Sequence, residues 1–129
     1  MKKKYLIVVA DYYKVISNEL IKSAVKLIPK SSYFKIIKVP GVFEIPVTIS
    51  KNLKKYDAFI ALGCVIKGET PHFDFISQAT TNAIMNLSLE SNKPVGNGII
   101  TCLNMKQAKA RKNKGTEAAE AVISVLSQK

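Results

Sequence analysis

Asp57-Ala58-Phe59-Ile60-Ala61-Leu62-Gly63-Cys64-Val65-Ile66-Lys67-Gly68-Glu69-Thr70-Pro71-His72-Phe73-Asp74-Phe75-Ile76 is the stretch whose reading decides the fold. Ala58 to Ile66 is apolar apart from Gly63, with no polar alternation, which fits a strand covered on both faces, as in a parallel sheet. Thr70 is a good helix N-cap, and Pro71 suits a first helical turn, where its missing N–H costs nothing. A helix start with free amides, preceded by Gly68 and flanked by Lys67, is a ready anion site. The only histidine of the chain, His72, falls in that first turn.

Working outward, Tyr5 to Ala10 reads as a first strand, followed by helical spacing of Ile16, Leu20, Ala24, Leu27 and Ile28 up to Pro29. Tyr33 to Val39 reads as a second strand stopped by Pro40-Gly41, and Val42, Ile45, Ile49 and Leu53 stripe a short helix from about residue 43. After the central strand, Ile76, Ala79, Ala83, Ile84 and Leu87 carry a long helix to about Leu89. Asn92-Lys93-Pro94 is a turn and Val95 to Thr101 a fourth strand. Two helical segments, Met105 to Arg111 and Thr116 to Ser127, end the chain, hinged at Asn113-Lys114-Gly115. Strand and helix alternate, so right-handed crossovers should build an α/β domain with a four-stranded parallel sheet and helices on both faces. The whole of 1–129 reads as one domain, without internal repeat or linker.

Composition narrows the class. With 47% apolar and 22% charged residues, the chain is globular, and no apolar run approaches the roughly 20 residues of a membrane span. Lys2-Lys3-Lys4 ahead of Tyr5 to Ala10 imitates a signal peptide, but Asp11 ends the apolar run short of an h-region of about 7–15 residues. A cytoplasmic protein is expected. Cys64 and Cys102 lack metal-ligand spacing, and both fall in strands, which makes them packed, reduced thiols. The net charge of +11 suits a phosphorylated substrate or nucleic acid, yet the lysines are scattered and Arg111 is the only arginine. Base and phosphate recognition by dedicated nucleic-acid binders leans on arginine, so no nucleic-acid partner is expected.

In open parallel sheets ligands collect outside the carboxyl ends of the strands. Three unusual segments fall there: Asp11-Tyr12-Tyr13, Pro40 to Pro46, and Lys67 to Phe73. Tyr12 and Tyr13 can stack on a flat heterocycle or simply pack. Glu44 opens a helix, either as a cap favoured by the dipole or as an acceptor for a ligand's polar edge. The positive end of the helix disfavours a charged His72 ring, suiting it to general acid–base work near neutrality. Gly96 and Gly98 share a strand face that another backbone or a ligand can approach closely. Arg111 and Lys114 bracket a helix break and could clamp an anion.

Taken together these residues resemble the lumazine synthase family. The resemblance rests on Pro40-Gly41-Val42-Phe43-Glu44-Ile45-Pro46, on Leu62 through Asp74, and on Pro94-Val95-Gly96-Asn97-Gly98. Gln107-Ala108, Arg111, Asn113-Lys114-Gly115 and Glu117-Ala118-Ala119 complete it, in the family's order. It implies a flavodoxin-like three-layer α/β/α domain and a transferase of riboflavin biosynthesis that works without a cofactor or metal. The reaction implied condenses 5-amino-6-(D-ribitylamino)uracil with 3,4-dihydroxy-2-butanone 4-phosphate to 6,7-dimethyl-8-ribityllumazine. By the same resemblance Tyr12 stacks on the pyrimidine, and Val42, Phe43, Glu44, Cys64, Val65 and Ile66 line the ring and ribityl site. Lys67, Glu69 and Thr70 lie at the phosphate, His72 shuttles protons, and Arg111, with Lys114 nearby, binds the phosphate. The pocket implied straddles two subunits of a homopentamer, Asn97 and Arg111 serving the neighbour's half. A sixty-subunit icosahedral shell and a riboflavin synthase partner are further implications.

The chain departs from the family pattern at several points. Asn97 stands where many members carry phenylalanine, Tyr13 where asparagine is common, and Lys67 where arginine is common, exchanging a bidentate fork for a point charge. The loop between Arg111 and Asn113 is several residues shorter than usual, which bears on shell assembly, and no N-terminal extension that could bridge pentamers is expected. Two other classes fit parts of the pattern: a flavin- or lumazine-binding module without turnover, and a basic RNA-binding scaffold.

Overall fold

The computed structural model describes residues 2–128. Strands β1 (Lys4–Ala10), β2 (Tyr33–Val39), β3 (Ala58–Ile66) and β4 (Val95–Cys102) form one parallel sheet in the order β2-β1-β3-β4. Helices α1 (Lys14–Val25), α2 (Ile45–Lys51), α3 (His72–Ser91), α4 (Met105–Ala110) and α5 (Lys114–Leu126) connect and follow them.

Period-two alternation sorts the side chains of the central strands into two cores. Tyr5, Ile7 and Val9 of β1, with Ala58, Ile60, Leu62 and Cys64 of β3, face Ile16, Leu20 and Ala24 of α1 and Ala118, Ala119 and Val122 of α5. Leu6, Val8 and Ala10, with Phe59 and Ala61, face Ile45 and Ile49 of α2 and Ile84 of α3. The unbroken apolar run of β3 therefore has the cause the sequence suggested: helices cover both faces.

Three glycines set how closely the layers approach. A Cβ on Gly96 would run into the Ala118 carbonyl and, at 2.8 Å, into Val122. One on Gly98 would meet Leu62 at 2.5 Å, and one on Gly115 would strike the backbone of Leu20. For Gly96 close approach of another backbone is realised, that of α5 at Ala118, whereas Gly98 makes room chiefly for the Leu62 side chain.

Element ends differ in detail from the expectation. The helix expected from residue 43 divides into a 3-10 turn (Val42–Glu44) and α2, with Pro46 in the first turn. The last helix begins at Lys114 rather than Thr116, so Lys114 and Gly115 belong to its first turn and not to a hinge. Helix α3 ends where Asn92 adopts the left-handed conformation at φ 56°, a stop that asparagine tolerates.

Replacing Gly96 with alanine should cost about 1–3 kcal/mol, the overpacking range. Gly68→Ala, whose Cβ would meet nothing within 4 Å, should stay within about 0.5 kcal/mol of the parent. Urea unfolding of both variants checks the contrast.

Candidate active site

The rim at the carboxyl ends of the strands is built by hydrogen bonds that close off strand ends. The Ser17 hydroxyl donates to the Ala10 carbonyl at 2.7 Å, the Asp11 N–H to the Val39 carbonyl at 2.8 Å, and the Lys67 N–H to the Cys102 carbonyl at 2.8 Å. The segments that follow β1, β2 and β3 emerge side by side, as the topology required.

After β1, Tyr12 is 74% exposed and meets Tyr13 edge to face, with ring centroids 4.9 Å apart. Tyr13 is half-buried, and desolvation raises its phenol above the ordinary value. The outer face of Tyr12 is thus free to stack, while Tyr13 packs. After β2, Glu44 does act as a cap: the Gly41 N–H donates to its Oε1 at 3.0 Å. A carboxylate has further acceptor sites, so the cap does not exhaust it. Phe43 beside it is largely exposed. Val42 is not a lining side chain, because it is buried against Gly63 in the core.

After β3, Lys67, Gly68, Glu69, Thr70, Pro71 and His72 are all exposed. Here the structure corrects the expected cap. Helix α3 starts at His72 with Pro71 in the capping position, and Thr70 makes no helix-capping bond; its Oγ1 lies 3.4 Å from the His72 N–H, the long end for a hydrogen bond. Of the first-turn amides, the Asp74 N–H donates to the Pro71 carbonyl at 3.0 Å and the His72 N–H has only the long Thr70 contact, so the helix end keeps part of its capacity for an anion. Gly68 has neither positive φ nor a crowded Cβ position, so no packing inside the chain requires it.

Cys64 points into the core beneath α1 and α5, and Val65 and Ile66 are half-buried. Burial, and secondarily the neighbouring Cys102 thiol, push the Cys64 thiol up to about 12. Both cysteines are free and buried, the packed state expected from the sequence.

Asn97 lies at mid-strand in β4, an edge strand, opposite Ala61; its Oδ1 accepts the Ile99 N–H at 3.0 Å. Five residues of strand separate Ala61 from Ile66, roughly 16 Å at strand rise, so one chain does not bring Asn97 to the rim. Arg111 follows α4, and its Nη1 reaches Cys102 Sγ at 3.9 Å and Gln107 Oε1 at 3.4 Å. It belongs to the rim, but on the side of the sheet covered by α1 and α5, whereas His72 heads a helix on the other side. Lys114 pairs with Glu117 at 3.3 Å.

One residue that sequence reasoning passed over adjoins this edge. Thr80 is buried in α3 and its hydroxyl has no partner among the described residues. It lines a largely apolar cavity of about 500 Å³ with Phe43, Glu44, Val47, Ala79 and Ala83. The signal was a hydroxyl within the apolar stripe of α3, four residues from both Ile76 and Ile84.

An open parallel sheet that reverses direction between β1 and β3, with an aromatic, a carboxylate, a helix start without a capping side chain and a histidine along one rim, defines a flavodoxin-like α/β domain of the ligand-converting kind. A family model described as 6,7-dimethyl-8-ribityllumazine synthase matches residues 2–129. Proteins of that name from Bartonella bacilliformis and Bartonella tribocorum are 44% and 41% identical, over 96% and 100% of this chain and 88% and 93% of theirs. One from Methylobacterium radiotolerans is 41% identical over 98% of this chain and 82% of its own. The chain belongs to the 6,7-dimethyl-8-ribityllumazine synthase family, and with it to the transferases of riboflavin biosynthesis. No helix among the described residues is long and apolar enough to cross a membrane.

Native Cys64 and Cys102 should resist alkylation by iodoacetamide at about pH 8 and react once the chain is unfolded; peptide mass spectrometry reads both. Because the folded Cys64 thiol holds its proton to about 12 while an unfolded thiol releases it near 9, its stabilising contribution is complete below 9 and is lost as pH rises towards 12. Urea midpoints should fall by about 1–2 kcal/mol equivalent between about pH 8 and about pH 10.5. Cys64→Ala should show a shallower fall.

Proposed function

We propose that this chain condenses 5-amino-6-(D-ribitylamino)uracil with 3,4-dihydroxy-2-butanone 4-phosphate. The observation that carries the reading is the rim segment Lys67–His72: an exposed segment leading into the start of α3, which no capping side chain closes, with the chain's one imidazole in the first helical turn. The uracil's amine attacks the ketone carbonyl, an imine forms with loss of one water, inorganic phosphate is eliminated, and ring closure releases a second water. Each step is a nucleophilic addition, a proton transfer or an elimination with no net change of oxidation state, so the chemistry proposed runs on proton transfer and charge stabilisation.

Tyr12 supplies a stacking face for the pyrimidine, while Phe43, Glu44 and the backbone of Val42, Cys64, Val65 and Ile66 line the ring and ribityl chain. Glu69, Thr70 and the α3 amides meet the phosphate, with Lys67 as a nearby point charge. His72 moves protons between the amine, the carbonyl oxygen and the carbon from which phosphate departs. Arg111 and Lys114 serve the phosphate, and Asn97 the ring, from a neighbouring copy. Support for a shared pocket comes from the positions of Asn97 and Arg111, which one chain does not bring to His72. Support for self-association comes from α3, where Phe75, Met85 and Leu89 are each more than half exposed, and from the unpartnered Thr80 hydroxyl. A homopentamer of diffusible cytoplasmic subunits fits these features, with riboflavin synthase as the consumer of its product.

Purified protein given both substrates should release one phosphate per lumazine formed, followed by phosphate assay and by the fluorescence of the product. Tight binding of the ring compound without phosphate release would instead mark a binding module. His72→Ala should slow turnover by roughly 10²-fold, and an unchanged rate removes His72 from the mechanism. Arg111→Ala should raise the KM of the phosphate-bearing substrate and leave that of the uracil in place.

A further inference from the structure

We infer that Gln107 is a positioning residue, holding the Arg111 guanidinium at the end of β4 so that its remaining donors meet the substrate phosphate. The inference rests on the assignment of Arg111 to that phosphate. Helix α4 is only six residues long and is capped by Asn104, whose Oδ1 accepts the Gln107 N–H at 2.9 Å. That cap puts Gln107 at the third helical position, from which its side chain folds back over the first turn. Its Oε1 accepts the Leu103 N–H, just past β4, at 2.8 Å, and the same oxygen accepts Arg111 Nη1 at 3.4 Å.

Both neighbours of that oxygen are donors, so the amide oxygen and not the NH₂ must face them, and its two lone pairs are both used. The Arg111 guanidinium therefore leans by one nitrogen, over a contact at the long end for a hydrogen bond, on a point that is itself fixed to the strand end, with Cys102 Sγ at 3.9 Å as a second neighbour of that nitrogen. Nε and Nη2 stay available for a bidentate grip on an oxyanion. The spacing of four residues is what lets two side chains meet on one helix face.

The chemical identity of the tether matters more than its existence. A glutamate at this position would cap Leu103 equally well, but its charge would pair with Arg111 and compete with the phosphate. Glutamine accepts the hydrogen bond while leaving the positive charge uncompensated. Among the described residues the ion pairs are Lys14 with Asp11 and Lys114 with Glu117, and neither involves Arg111. A free, exposed arginine would also have to be ordered anew at each binding event, whereas a tethered one is already placed.

Steady-state kinetics on Gln107→Met and Gln107→Glu test this. Gln107→Met removes both hydrogen bonds at similar volume, and should raise the KM of the butanone phosphate about 3- to 10-fold, with kcat and the KM of the uracil within about twofold. Gln107→Glu keeps the Leu103 cap, and should retain the melting temperature while also raising the KM of the butanone phosphate. If Gln107 served only to cap α4, Gln107→Met would lower the melting temperature and leave the KM of the butanone phosphate at the parent value, and the inference would be overturned. In an Arg111→Ala background, Gln107→Met should add nothing to the KM of the phosphate substrate; additive losses would also overturn it. If Arg111→Ala alone leaves that KM unchanged, the phosphate assignment of Arg111 itself fails and this inference falls with it. A normal Arg111 effect with silent Gln107 variants sinks only the positioning role.

Discussion

Strands β1 and β3 have no face turned to water, and most of the architecture follows from that constraint. Leu6, Ile7, Val8 and Val9, with Phe59, Ile60, Ala61 and Leu62, are completely buried, and burying side chains of this size stabilises by about 1.5–3 kcal/mol each for the larger ones. Two adjacent strands of that kind need a helical layer above and below, which forces crossovers rather than hairpins. The order β2-β1-β3-β4 then puts the reversal of winding between β1 and β3, and a crevice opens there because successive connections leave in opposite directions. The rim is polar for the same reason: it is where buried backbone comes out and its last carbonyls need donors, such as Ser17 for Ala10 and Lys67 for Cys102.

Much of this was readable before any coordinates. The strand Tyr33–Val39 begins and ends where its bounding prolines and polar residues placed it, and Ala58–Ile66 runs the full length of its apolar segment. What could not be read was contact between segments far apart in the chain. The reason for Gly96 is Ala118, and the reason for Gly115 is Leu20; no window of sequence contains both partners. Helix starts misled for a different cause. Thr70-Pro71 and Thr116 are good initiators by residue type, but packing of Gly115 on α1 draws α5 back to Lys114, and Pro71 itself takes the capping position of α3.

The candidate site divides along the same line. Residue types and their order along the chain pointed to Tyr12, Glu44, Lys67, Thr70 and His72, the family resemblance added Phe43 and Glu69, and all of these belong to the segments that leave the carboxyl ends of the strands. Side-chain direction was beyond reach: Val42 and Cys64 occupy rim positions in the sequence but turn into opposite cores. Gln107 was visible as part of a matching stretch, yet its use depends on one oxygen meeting two donors, Leu103 and Arg111, which spacing alone does not reveal.

Helix α3 carries a consequence of its own. Of its 20 residues Thr80 and Ile84 are buried by this chain and Phe73, Ile76, Ser77, Ala83, Leu87, Ser88 and Ser91 are half-buried, so its own subunit grips it along one stripe and leaves the opposite side bare. Whatever leans on the uncovered side of the helix therefore also comes to border its exposed tip, where His72 stands.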